Sequence, residues 1–144
     1  MQVRDLLRHK GRGVATVSPE VTVADLLSRL AENNVGAMVV TSESGSVRGI
    51  VSERDVVRAL HRKGSGLLTE TVSSIMTSEV TTATPDDSVE SLARIMTESR
   101  IRHLPVIEDG RLAGIVSIGD VVKNRIDQLE SERESLIGYI QSSG

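Results

Sequence analysis

The sequence predicts an α/β fold assembled from two βαββα units related by a pseudo-twofold axis, and three observations carry that expectation. The run Gly49-Ile50-Val51-Ser52-Glu53-Arg54-Asp55-Val56-Val57 recurs as Gly114-Ile115-Val116-Ser117-Ile118-Gly119-Asp120-Val121-Val122, identical except at the two positions between Ser and Asp. Ahead of each run the chain repeats one order of features: a short apolar stretch, a proline, a helical stripe, a second apolar stretch and a turn. A chain that writes one supersecondary unit twice buries its apolar faces by setting the copies against each other. Finally, 144 residues make one ordinary domain. Two units of about 60 residues would each be marginal alone, so a shared core is expected.

In the first copy, Val14-Ala15-Thr16-Val17-Ser18 reads as a short strand stopped by Pro19. Val23, Leu26, Leu27 and Leu30 then fall at helical spacing behind Thr22, a good N-cap, and Asn33-Asn34 ends the helix. Ala37 to Val40 is an uninterrupted apolar run and hence a buried strand, Ser42 to Ser46 a turn, and Val47 to Val51 the next strand. Ser52 opens a helix carrying Val56, Val57 and Leu60. The second copy follows the same script. Val80 to Thr84 is its short strand, Pro85 the stop, Ser88 the cap and Val89, Leu92, Ile95 and Met96 the stripe. Leu104 to Ile107 and Leu112 to Val116 form its hairpin around Asp109-Gly110. Pro19 aligns with Pro85 and Gly49 with Gly114 only if the first hairpin loop holds one extra residue, where an insertion costs least.

Each copy has a small helical lead-in, Val3-Arg4-Asp5-Leu6-Leu7 and Val72-Ser73-Ser74-Ile75-Met76, and Arg62 to Gly66 reads as a flexible polar connection. Gly11-Arg12-Gly13 reads as a flexible loop. The expected organisation is a first repeat over 1–66, a second over 67–125 and a C-terminal amphipathic helix over 126–144. Along that helix Val122, Ile126, Leu129, Leu136, Ile137 and Ile140 lie at spacings of three and four among charges. Such a stripe packs either on its own molecule or on a second copy.

Composition removes several functions. The net charge of −3 with one aromatic residue, Tyr139, argues against nucleic acid, which calls for a basic face and rings on which bases stack. No apolar run is long enough for a membrane span and no signal-peptide core opens the chain. The absence of cysteine excludes disulfides and thiol chemistry and fits a cytoplasmic location. His9, His61 and His103 are far apart in sequence, and neither GxxxxGK[ST] nor GxGxxG is present, so no metal site or nucleotide-processing apparatus is visible. An enzyme is not expected.

Two units that each end in Gly-Ile-Val-Ser-x-x-Asp and a helix resemble a tandem pair of cystathionine-β-synthase (CBS) domains, a Bateman module. The resemblance rests on Thr16-Val17-Ser18-Pro19 with GIVSERD in the first copy. In the second it rests on Thr82-Ala83-Thr84-Pro85, Arg102-His103-Leu104-Pro105-Val106 and GIVSIGD. It covers roughly residues 3 to 125. It implies a regulatory module that binds an adenosine-containing ligand (AMP, ADP, ATP or NAD(H)) between the copies, needs no cofactor, forms a homodimer and signals to an unidentified effector protein in trans. The alternative is a ligand-free dimeric scaffold.

The residues themselves support chemistry of that kind. Ser52 and Ser117 stand where strand passes into helix, so unpaired N–H groups and the helix dipole favour an anion there. Asp55 and Asp120 lie one turn on, and an ionised carboxylate accepts the two hydroxyls of a ribose. The same Ser-x-x-Asp spacing is also that of a capping box, which needs no ligand. Aligning the copies sets Gly36-Ala37 against Arg102-His103, and the resemblance implies that basic residues there face phosphates. The expected ligand-binding set is Thr16, Val17, Pro19, Gly36, Ala37, Ser52, Arg54 and Asp55 from the first copy. From the second it is Thr82, Ala83, Pro85, Arg102, His103, Pro105, Ser117 and Asp120. Its centre is expected at Arg102, His103, Ser117 and Asp120, with Arg54 and Arg100 as further cations.

Overall fold

In a computed structural model, which describes residues 1–11 and 13–143, helices begin on the hydroxyls expected of them. Thr22 accepts the N–H of Asp25 at 3.2 Å ahead of α2 (Val23–Asn33), and Ser88 that of Ser91 at 3.0 Å ahead of α4 (Val89–Ser99). Ser52 caps α3 (Glu53–Lys63). The other elements are α1 (Val3–Lys10), β1 (Thr16–Val17), β2 (Ala37–Thr41), β3 (Val47–Ser52), β4 (His103–Glu108), β5 (Arg111–Ser117) and α5 (Ile118–Ser143).

β1 pairs parallel with β2, and β2 pairs antiparallel with β3, placing Ala37 opposite Ser52. β4 and β5 repeat that hairpin with His103 opposite Ser117. Both hairpins shift register at equivalent places, between Val40 and Thr41 and between Val106 and Ile107. The second hairpin turns through Asp109 and Gly110 at φ 52° and 78°, the left-handed pair that a two-residue turn requires.

The strand expected at Val80–Thr84 is reduced to a single parallel bridge, Ala83 to Val106. Ala83 donates to the Pro105 carbonyl at 2.9 Å and accepts from Ile107 at 2.8 Å. The next rung of the ladder needs an N–H at residue 105, and proline has none. The first copy has Val39 at the equivalent position and keeps its strand.

In place of the one shared core expected, two apolar cores lie under the two sheets, one built around Leu26, Met38 and Val51, the other around Leu92, Leu104 and Val116. Each is completed by the other copy's lead-in. Val3 and Leu6 of α1 are buried in the second core, and Val72 is buried in the first. The backbone follows suit: Val3 and Arg4 donate to Asp87 and Pro85 at 2.8 and 2.9 Å, while Val72 and Ser73 donate to Val21 and Pro19 at 2.8 and 3.0 Å. The two units exchange their first segments.

The stretch expected as a flexible connection is folded. After α3, Gly64–Thr69 forms a 3₁₀ turn that drives Leu67 fully into the first core. Burial of one leucine stabilises by about 2 kcal/mol, enough to order a short polar lead. At the other end, α5 is one continuous helix of 26 residues. Val121 is buried, but Val122, Ile126, Leu129, Leu136, Ile137 and Ile140 are exposed. Arg12 and Gly144 lie outside the described residues.

Candidate functional site

The two Ser-x-x-Asp motifs fold as reciprocal caps. Asp55 Oδ2 accepts the Ser52 N–H at 2.8 Å and its hydroxyl at 3.1 Å, while the Asp55 N–H points to Ser52 Oγ at 3.4 Å. Asp120 Oδ2 accepts the Ser117 N–H at 2.9 Å, and the Asp120 N–H reaches Ser117 Oγ at 3.1 Å. Capping therefore occupies one oxygen of each carboxylate. Oδ1 of Asp55, like that of Asp120, accepts no hydrogen bond among the described residues, which leaves its lone pairs for a ligand hydroxyl. The expectation that both oxygens face a diol gives way to one.

Around Asp55 lies a crevice of about 580 Å³ walled by both copies. The first copy supplies Gly36, Ala37, Ile50, Ser52, Arg54, Asp55 and Arg58; the second supplies Thr77, Glu79, Val80, Thr81, Arg100, Ile101, Arg102 and His103. Gly36 is pinned by its carbonyl, which accepts the Glu53 N–H at 2.9 Å and holds the start of α3 against the start of β2. Gly49 allows the second copy to come close, since a Cβ there would stand 2.7 Å from the Thr77 carbonyl oxygen. Thr77 and Ile50 exchange backbone hydrogen bonds of 3.0 and 2.9 Å at that point.

The equivalent place in the second copy is taken by the chain itself. Lys10, the last residue of α1, puts its ammonium 2.7 Å from Asp120 Oδ2 and 2.7 Å from the Ile115 carbonyl. Ile115 corresponds to Ile50, so a lysine side chain replaces the backbone bridge that Thr77 makes in the first copy. Burial would by itself raise the Asp120 carboxyl. Lys10 and the Ser117 hydrogen bonds outweigh it, and the group is held below the ordinary carboxylate range. His103 sits between the two motifs. Burial lowers its pKa first, the charges of Lys10 and Arg102 lower it further, and Asp120 and Glu53 oppose them. The imidazole is neutral near pH 7.

The four residues expected to form one centre thus separate. Arg102 and His103 open onto the crevice of Ser52 and Asp55, whereas Ser117 is paired with Asp120, which Lys10 engages. The Arg102 carbonyl accepts the Ile118 N–H at the start of its own copy's helix at 2.8 Å, as the Gly36 carbonyl accepts that of Glu53, while Arg102 itself lines the crevice of the other motif. Val17, Ala83 and Pro105 are buried, Val17 and Ala83 as members of the cores. Pro19 and Pro85 serve the exchanged lead-ins through their carbonyls, and Thr82 is exposed beside the bridge at Ala83. Thr16 and Pro85 line a more open groove of about 840 Å³ with Arg4, Arg8 and Arg111. Neither motif carboxylate borders it, and Arg4 is already paired with Asp86 at 2.6 Å. Sequence reasoning missed Arg58, which one helical turn from Arg54 could have revealed, and Lys10, which no local pattern marks.

The sequence signature of the CBS domain matches residues 3–62 and again 72–127. The chain belongs to the CBS-domain family. Among similar proteins, the mitochondrial CBS domain-containing protein CBSX3 of Arabidopsis thaliana is 35% identical, over 96% of this chain and 71% of that protein. The CBS-domain containing protein ATU1752 of Agrobacterium tumefaciens has a solved structure of TM-score 0.84 and 46% identity, covering 87% of this chain and 99% of that one. The CBS domain pair of MJ0100, solved with 5-methylthioadenosine and S-adenosyl-L-methionine, is 27% identical with TM-score 0.77 over 85% and 98% of the chains. CBSX2, solved with AMP, is 28% identical with TM-score 0.73 over 88% and 96%. Among the described residues no CBS-pair helix is long and apolar enough to cross a membrane, and no cluster of His, Asp and Glu is arranged to hold a metal.

Proposed function

We propose that this CBS pair is a regulatory module that binds one adenosine-containing ligand in the crevice of Asp55, Arg102 and His103. The observation that carries the reading is the joint wall: an open carboxylate oxygen from the first copy faces arginines from the second. The ribose would hydrogen-bond Asp55 Oδ1, and the apolar faces of Ile50, Val80 and Ile101 would hold the purine. Similar proteins solved with AMP and with S-adenosyl-L-methionine support the ligand class. Lys10 already holds the Asp120 carboxylate and the Ile115 carbonyl at the second motif, so the first motif is the favoured site and the expected stoichiometry is one per chain. A ligand touching both copies biases their relative orientation only by its differential affinity for the alternatives, and the output passes to a separate protein. Exposed Val57 and Leu60 on α3 and Val122 and Ile126 on α5 fit a homodimer face.

Calorimetry on the intact protein with AMP, ADP, ATP, NADH and S-adenosylmethionine tests the reading. Heat with at least one, abolished by Asp55→Ala in a variant that still melts cooperatively, supports it. Silence with all five leaves the second reading, a ligand-free dimeric scaffold, which the completed capping boxes favour. In that case Asp55→Ala lowers the melting temperature and changes nothing else.

A further inference from the structure

We infer that the crevice is built for a nucleoside di- or triphosphate in preference to a monophosphate or a sulfonium nucleoside; the inference rests on the nucleotide reading above and sharpens it. Four arginines line this one cavity: Arg54 and Arg58 from successive turns of α3, and Arg100 and Arg102 from the segment joining α4 to β4. None of the four has a carboxylate within ion-pair distance among the described residues. Glu53, Asp55 and Glu79 also border the cavity, and Asp55 is held by its cap. In a chain of net charge −3, the lining still carries more arginines than carboxylates, four against three.

Their number matters. Each planar fork offers up to five donors and matches phosphate oxygens two at a time. A single phosphate is satisfied by one or two such forks and leaves the rest mutually repelling. A chain of two or three phosphates spreads charge over several centres. It can run from the start of α3, where Arg54 stands, along the helix to Arg58, about 6 Å further on. A positively charged sulfonium would meet the same cluster with the wrong sign.

Arg100 adds an independent observation. It caps α4 in the left-handed conformation at φ 54°, a position that favours Gly or Asn. The first copy uses Asn34 there, at φ 53°. A long cationic side chain held at this turn against its backbone preference is placed for the crevice it lines.

Titration calorimetry with ATP, ADP, AMP and S-adenosylmethionine, at low and at moderate salt, tests this. ATP or ADP is expected to bind at least about tenfold more tightly than AMP, with the steeper loss on adding salt. Arg100→Asn, which installs the residue found at Asn34 and so relieves the turn, should weaken ATP about tenfold while moving AMP much less. Arg58→Gln should do the same without touching a cap. Equal affinities for AMP and ATP, or equal losses for both in the two variants, overturn the polyphosphate inference and leave the nucleotide site standing. Absence of binding by every nucleotide takes down the site itself.

Discussion

Replacing Lys10 with methionine keeps the aliphatic stem and removes the ammonium that joins α1 to the second motif. The charge is lost from two contacts of 2.7 Å, to Asp120 Oδ2 and to the Ile115 carbonyl. The Lys10 and Asp120 side chains are 36% and 25% exposed, so water partly replaces what is removed. Exposed ion pairs contribute up to about 1 kcal/mol, and a charged hydrogen bond to a half-covered carbonyl adds a comparable amount. Asp120 keeps its bond from the Ser117 N–H, which limits the damage. The expected loss is about 1–2 kcal/mol at pH 7, or a fall in Tm of about 3–6 °C for a chain of this size. The sign of the pH dependence follows from Asp120, whose folded pKa is depressed. A depressed carboxylate contributes stability above its unfolded pKa and loses it as pH falls through the folded value. The gap between Lys10→Met and the parent should therefore close in acid. Thermal melts across pH, repeated in an Asp120→Asn background, measure both the gap and its coupling. A gap that persists unchanged in acid, or is equally large with Asp120→Asn, refutes the ion-pair account.

Three further outcomes are expected. His103 should titrate below its ordinary value of about 6.5 by NMR, and a phosphate bound beside it should raise the midpoint; on the same grounds the unfolded chain takes up that proton first, so His103 costs stability as pH falls below about 6.5. Leu67→Ala, just after the stretch that reads as a flexible connection, should cost about 2–5 kcal/mol in urea denaturation because the side chain is fully buried. Gly49→Ala should destabilise more than Gly114→Ala in the same assay. A Cβ at 49 meets the Thr77 carbonyl at 2.7 Å, whereas one at 114 meets the end of the movable Leu7 side chain at 2.6 Å.

What the sequence reveals is what depends on neighbours along the chain. The caps at Thr22, Ser52 and Ser88, the Asp109-Gly110 turn and the doubled hairpins are local, and each stands where its residues require. Pro105 is equally legible as a missing donor, yet the repeat makes the strand that pairs with it, at Val80–Thr84, look complete. Long-range choices left no such mark. Nothing near Lys10 announces Asp120, and no spacing tells Arg102 to line the other copy's crevice. The fate of the apolar stripe on α5 was open because periodicity identifies a face without naming what covers it.

The crossing of the two lead-ins has a bearing on how the molecule assembles. A fragment ending after α3 would carry Val3 and Leu6, which belong elsewhere, and lack Val72, which its own interior needs. Neither half is self-sufficient, so the copies should melt in a single cooperative step. The duplicated unit behaves as interlocking clasps: severing the chain near Gly64 should give two pieces that stay unfolded separately and recover structure when mixed.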